Sequence, residues 1–274
     1  MGRRLFCELG PAAYAIASLM ERFRRRMQDF FARPVFARAK GEPLPVKIYA
    51  HNSLIRRKLG NVDMRLQENK ANNLALTAPK VDGILIRPGE TFSFWALAGN
   101  PSARKGYREG LTISSGAASS GVGGGMCQFT NLLHWMALHS PLTVAERHHH
   151  NGLDLFPDFG RQVPFGCGTS IVYNYLDYRL KNETGIIFQF LVHTDGEYLR
   201  GELRADREPE YAYHIAEEDA CFVKAGDDYY RRNRVVRRVI DRQSGDLVRQ
   251  ELLDEADAKV MYDHALIDRE KIKV

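Results

Sequence analysis

Four cysteines in 274 residues, Cys7, Cys127, Cys167 and Cys221, are too sparse for a disulfide framework and too far apart for a zinc pattern. No apolar run approaches the roughly 20 residues that a membrane-spanning helix needs. The stretch Pro11-Ala12-Ala13-Tyr14-Ala15-Ile16-Ala17-Ser18-Leu19-Met20 is far too short. Ala13-Tyr14-Ala15 and Ala15-Ile16-Ala17 lie inside that run, too early for signal cleavage, and Glu8 interrupts the approach to it. Phe6 stands where a myristoylation signal needs Ser or Thr. There is no internal repeat and no nucleic-acid-binding motif. These absences lead us to expect a cytoplasmic protein without nucleic acid as partner, touching a membrane peripherally at most.

What is present is an ordinary globular composition, 44% hydrophobic and 27% charged, with an uneven distribution of charge. Residues 1–60 hold 13 Lys/Arg against 4 Asp/Glu, and the remainder hold 26 against 30. The net charge of +5 therefore belongs to the N-terminal segment. Within it, residues 21–31 combine Arg22, Arg24, Arg25 and Arg26 with Phe23, Phe30 and Phe31. That mixture fits either a solvated basic docking helix or an interfacial amphipathic helix.

The spacing predicts a helix over residues 11–38, broken at Pro34, then a linker at Gly41-Glu42-Pro43-Leu44-Pro45 and a short strand from Val46. A polar helix follows at 64–76. Ser114 to Gly121 reads as a long flexible connection running into Gly123-Gly124-Gly125. Residues 126–139 read as one apolar helix stopped by Pro141, and Leu142 to Arg147 as a short strand. Ile171–Leu180, Ile186–His193 and Glu197–Arg204 read as a β-meander, and 235–240 with 247–252 as a hairpin. The class expected is α+β: a helical N-terminal segment, then a mixed domain with a central Cys-bearing helix on an antiparallel meander. The divisions expected are 1–80, 81–205 and 206–274.

The chemistry-bearing segment is Gly123-Gly124-Gly125-Met126-Cys127-Gln128. Glycines before a helix permit close approach of backbone to a ligand, and the helix start presents free N–H groups and the positive dipole end. Cys127 in that first turn is expected to have a depressed pKa, with Gln128 or the loop N–H groups as oxyanion donors. The helix rises roughly 18 Å from Cys127 to His139 at about 1.5 Å per residue. A strand from Leu142 to His148 would return roughly 20 Å. An antiparallel return brings His148 or His150 to Cys127 as base, with His149 opposite by alternation. The same loop, Gly123, Gly124 and Gly125 with Arg147 beside it, equally suits anion binding without reaction. A buried cysteine there also serves as plain packing. His148, His150 and Cys127 form an incomplete zinc set, so no metal or other cofactor is expected. Asp154, Asp158 and Asp177 are candidates to orient an imidazole, although each is individually read as a surface or turn carboxylate.

Longer motifs carry a resemblance. Gly89-Glu90-Thr91-Phe92-Ser93-Phe94-Trp95, Lys105-Gly106-Tyr107, the Gly123–Gln128 segment, Trp135 to Val144, Glu146-Arg147-His148 and Phe156-Pro157-Asp158 resemble the VanW family. Asn151 and Cys167 stand where family members often carry serine. The resemblance implies an accessory role in glycopeptide resistance and cell-wall precursor metabolism, with a peptidoglycan precursor or cell-wall peptide as partner. The order of glycine loop, helix-start Cys and returning His is also similar to papain-like and transglutaminase-like thiol enzymes. Two functions follow as expectations: a thiol enzyme acting on an amide or ester, and a non-catalytic protein whose glycine loop holds an anionic cell-wall ligand.

Overall fold

The computed structural model describes residues 10–57, 63–114, 117–149, 152–157, 160, 162–173 and 175–273. Helix α1 (Pro11–Ala32) ends where Arg33 adopts a left-handed conformation, and β1 (Val46–Leu54) follows the Pro-rich linker. Helix α2 (Met64–Val81) is capped by Asp63, whose carboxylate accepts from the Arg65 N–H. It runs through Pro79 and so exceeds the expected 64–76. Its inward face is polar: Gln67, Asn73 and Thr77 are fully buried with Leu74 and Val81.

Next come β2 (Ile84–Ile86), β3 (Thr91–Ser93) and the single-turn α3 (Phe94–Ala98). The segment expected to be a flexible connection instead pairs as a hairpin, β4 (Glu109–Ser114) with β5 (Ala117–Val122). Small residues allow it to lie flat against α2, where Asn69 and Asn73 hold its backbone. Helix α4 (Met126–Leu138) is apolar on nearly every side and is buried accordingly. It lies against β1 and β10 (Tyr198–Ala205). At Gly201 a Cβ would sit 2.6 Å from the Met136 methyl, so the glycine is what lets helix and sheet close up.

The main sheet has the order β1-β10-β9-β2, with β9 spanning Phe188–Thr194, and all its pairings are antiparallel. Expected residues 186–193 and 197–204 thus form the β9–β10 hairpin, joined at Asp195-Gly196. The first member of the expected meander does not join them. Only β8 (Arg179–Lys181) is a strand, and it sits between β3 and β6 (Thr143–Glu146) in a separate three-stranded sheet. Residues just before β8 are diverted by Asp177, a buried carboxylate that accepts from Ser93, the Trp95 N–H and the Tyr178 N–H.

Three long strands complete the chain: β11 (Tyr211–Ala225), β12 (Asp228–Asp241) and β13 (Leu247–Val260). Two-residue β7 (Leu153–Asp154) pairs with the end of β13, and β14 (Ile272–Lys273) with β11. The architecture is α+β. Its principal core lies between α2, α4 and the main sheet, with Phe92, Phe94, Phe129, Tyr178, Phe188 and Phe190 fully enclosed. A smaller cluster of Trp135, Leu138, Cys167 and Val235 joins α4 to β12. The C-terminal sheet also reaches the other end of α4, where residues 254–258 of β13 share a cleft with Cys127.

Candidate functional site

The three glycines that precede α4 are needed for packing. A Cβ on Gly124 would overlap the Gly110 carbonyl of β4, and one on Gly123 would lie 2.5 Å from the Pro101 Cβ. Gly125 has φ +90 and faces the Lys70 side chain of α2 at overlap distance. The loop's N–H groups are spent inside the protein. Gly123 donates to the Arg108 carbonyl at 3.0 Å, Gly124 to Gly121 at 2.9 Å, Gly125 to Leu111 at 2.8 Å, and Gln128 to Gly125 at 3.1 Å. The Asn73 amide adds a bond to the Gly124 carbonyl at 2.9 Å. This loop is a clasp between α2, β4 and α4, and these four N–H groups offer nothing to an anion.

Gln128 points its amide at β1, donating to the Ser53 hydroxyl at 2.8 Å and the Leu54 carbonyl at 2.9 Å. Cys127, the next residue back, is half-buried and borders a cavity of about 500 Å³. Burial pushes its thiol pKa up, opposed by hydrogen bonding from the Ile171 N–H. The depressed pKa expected for a helix-start thiol is therefore not what this environment produces. Desolvation of the charged form outweighs the dipole.

The cavity is an open cleft lined by four segments. One turn along α4, Asn131 accepts from the Thr169 N–H at 2.7 Å and holds the 166–169 wall in place. Arg147 fastens the same wall, donating to the carbonyls of Gly166 and Gly168. Opposite, β13 contributes Asp254 and the residues to Ala258, and β7 contributes the buried Asp154. The remaining wall carries His149, whose Nε2 is 3.9 Å from Asp254 Oδ1. The second oxygen of Asp254 is buried without a hydrogen bond among the described residues, 3.6 Å from Arg147.

The return strand behaves differently from the expected one. β6 ends at Glu146 and pairs with β8, so strand alternation does not carry on through the histidines. His148 turns to Glu146, with Nε2 2.9 Å from Oε1, while its carbonyl accepts from the Ser170 N–H. Among the described residues, His149 is the histidine that lines the cavity. His150 and Asp158 lie outside the described residues. Asp177 is engaged in its own buried network, and Asp154 accepts from the Tyr262 hydroxyl at 3.2 Å. Among the described residues no group of three or more His, Cys, Asp or Glu is placed to hold a metal.

Of the residues singled out from the sequence, Cys127 borders this cavity and Arg147 fastens its wall, whereas His149 and Asp254, which also line it, were not singled out. The periodicity assumed for residues 142–150 put His149 on the wrong side. Asp254 had no local signal, since only the docking of β13 brings it from more than a hundred residues away. A second buried group, His134, bonds to the Tyr178 hydroxyl at 3.2 Å, and burial holds its pKa well below the usual histidine range.

A family model described as "VanW like protein" matches residues 69–204, which include Cys127 and His149 but not Asp254. The vancomycin B-type resistance protein VanW of Enterococcus faecalis (strain ATCC 700802 / V583) is 34% identical over 215 residues, covering 78% of this chain and 75% of that protein. The uncharacterized protein YoaR of Bacillus subtilis (strain 168) is 29% identical over 119 residues, covering 42% of this chain and 36% of that protein. No solved structure matches the chain.

Proposed function

Because the chain belongs to the VanW family, we propose that it acts in vancomycin resistance through the cavity beside Cys127, as a thiol enzyme on a cell-wall peptide. The observation that carries this reading is that Cys127, His149 and Asp254, from three distant segments, line one cavity, with His149 3.9 Å from Asp254. Asp254 orients the His149 ring, and His149 takes the Cys127 proton as sulfur attacks an amide or ester carbonyl. The raised thiol makes that base necessary, since little thiolate stands ready at neutral pH. The developing oxyanion is favoured by the positive end of the α4 dipole alone, since the four loop N–H groups are already bonded within the protein. The C–N or C–O bond then breaks, the imidazolium proton leaves with the amine or alcohol, and water hydrolyses the thioester.

A peptide substrate fits the lining. Residues 254–258 of β13 border the cavity, and on that edge β13 pairs only at Lys259 and Val260 among the described residues. An extended chain can add to the unpaired stretch, beside the carboxylates of Asp254, Glu255 and Asp257.

The burial of Cys127 also favours a second reading, a cavity that binds the peptide without reacting. Iodoacetamide labelling of the folded protein at neutral pH separates the two, with peptide mass spectrometry reading each cysteine. Under the thiol-enzyme reading, His149→Ala slows labelling of Cys127 on the order of tenfold or more. The buried Cys167 and Cys221 serve as unaffected references. Equal Cys127 rates in wild type and His149→Ala would remove the base and leave the binding reading.

A further inference from the structure

Helix α1 is attached to the protein by its charged side. Arg25 makes a two-pronged pair with Glu146, at 2.7 and 2.5 Å, and donates to the Tyr175 carbonyl at 2.8 Å. One turn on, Asp29 receives both terminal nitrogens of Arg179, at 2.5 and 2.8 Å. Arg22 lies over the Tyr173 ring at 5.1 Å. Residues 22, 25 and 29 share one helical face, which is the face turned to the body.

Its apolar side points the other way. Ile16, Leu19, Met20, Phe23, Phe30 and Phe31 are between 51% and 73% exposed. At about 100° per residue they fall within an arc of roughly 120°, centred opposite the Arg25–Asp29 face. Arg26 lies on one border of that arc and Arg24 on the other, both exposed, with Arg33 and Arg38 exposed just beyond the helix. The one exposed acid among residues 12–32 is Glu21. No helix among the described residues is long and apolar enough to cross a membrane.

We propose that this face of α1 lies in the surface of an anionic lipid bilayer, its apolar arc in the acyl boundary and its rim arginines at the headgroups. Exposed apolar residues bordered on both sides by cations are the pattern of a helix lying in an interface. Long arginine side chains let the charge stay in the headgroup layer while the helix sinks. A second copy of the chain is the poorer occupant. A symmetric dimer through this face would set Arg24, Arg26, Arg33 and Arg38 of each copy beside those of its mate. Lipid phosphates are complementary to the same charges. The Arg25–Glu146 pair then fixes the orientation of the whole protein on the surface, because Glu146 also accepts from the Asp177 N–H at 2.9 Å.

The test is co-sedimentation of the full chain with vesicles of phosphatidylcholine alone and of an equal mixture with phosphatidylglycerol. Mixed vesicles should bind at least tenfold more tightly at low salt, with the advantage shrinking at high salt. Phe23→Glu with Phe30→Glu should abolish binding. Arg24→Gln with Arg26→Gln should weaken it roughly tenfold and erase most of the preference for anionic lipid. All four positions are solvent-exposed, so unchanged circular dichroism shows that each variant is folded. Absence of binding to mixed vesicles, or binding indifferent to Phe23→Glu with Phe30→Glu, overturns the proposal. So does a dimer in sedimentation equilibrium that the same pair of substitutions dissociates without any vesicle binding.

Discussion

Helices α1 and α4 both carry large apolar side chains and turn them in opposite directions, although α1 is also rich in charge and α4 has none. α1 has eight large apolar side chains in 22 residues and α4 seven in 13, and each helix carries aromatic residues. α4 turns Phe129, Leu132, Leu133 and Met136 into the core, all at most 2% exposed. α1 turns an arginine–aspartate face inward and leaves Phe23, Phe30 and Phe31 in solvent. A helix's apolar face therefore does not announce where the protein's own core is. It announces where some low-dielectric partner is, and only packing shows whether that partner is the same chain.

The largest expected effect tests this contrast directly. Phe129→Ala should destabilise the protein by about 3–5 kcal/mol, as for large aromatic truncations in a closed core. Phe30→Ala should change it by no more than about 0.5 kcal/mol. Denaturant unfolding measures both, and comparable losses at the two positions would erase the difference between the helices.

A smaller effect is expected at the clasp that anchors the start of α4, a feature α1 lacks. Gly124→Ala places a methyl against the Gly110 carbonyl, backbone on backbone, where no side chain can rotate aside. The cost expected is about 1–3 kcal/mol, the usual range for forced overpacking. Gly168→Ala is a useful reference, because nothing lies within 4 Å of a Cβ there and its φ is outside the left-handed region. If Gly124→Ala is no worse than Gly168→Ala, the glycines have some other purpose, and the ligand-holding loop returns to contention.

These two helices also mark how far the sequence could be read. Helix α4, the β9–β10 hairpin and the α+β class were legible, because each rests on periodicity or turn chemistry within one segment. The family motifs were legible for the same reason. The polar inner face of α2 was not, since an asparagine-rich helix reads as solvated until Asn73 is seen bonding Arg108 and Gly124. Nor was β4–β5: the Ala, Ser and Gly residues of β5 look like a linker, yet pair with β4, a strand that lies against α2. At the candidate site, Cys127 had a local signature. His149 required knowing that β6 stops at Glu146, and Asp254 required knowing where β13 docks. Helix-start electrostatics were visible in the sequence, whereas the burial that overrides them at Cys127 was not.

The mildest expected effect concerns pH and again falls on α4 rather than α1. At the C-terminal end of α4, His139 stacks on Tyr49 with ring centroids 3.6 Å apart and Nδ1 2.8 Å from the Trp135 carbonyl. Burial pulls its pKa down to about 4, against a partial counter-effect of that carbonyl. His134 and His51 are lowered too, mainly by burial. A group with a folded pKa below its unfolded value of about 6.5 binds its proton more readily when the chain is unfolded. The folded state is therefore fully favoured above pH 6.5 and loses stability as pH falls towards 4. For His139 the loss between pH 6.5 and 5 should be on the order of 1–2 kcal/mol. In His139→Phe, which keeps an aromatic ring against Tyr49, that part of the slope should vanish while the share due to His134 and His51 stays. α1 has no histidine, so Phe30→Ala should leave the pH profile superimposable on wild type. A melting-temperature series from pH 7 to 5 reads all three proteins, and an unchanged slope in His139→Phe would mean that its ring already protonates freely in the folded state.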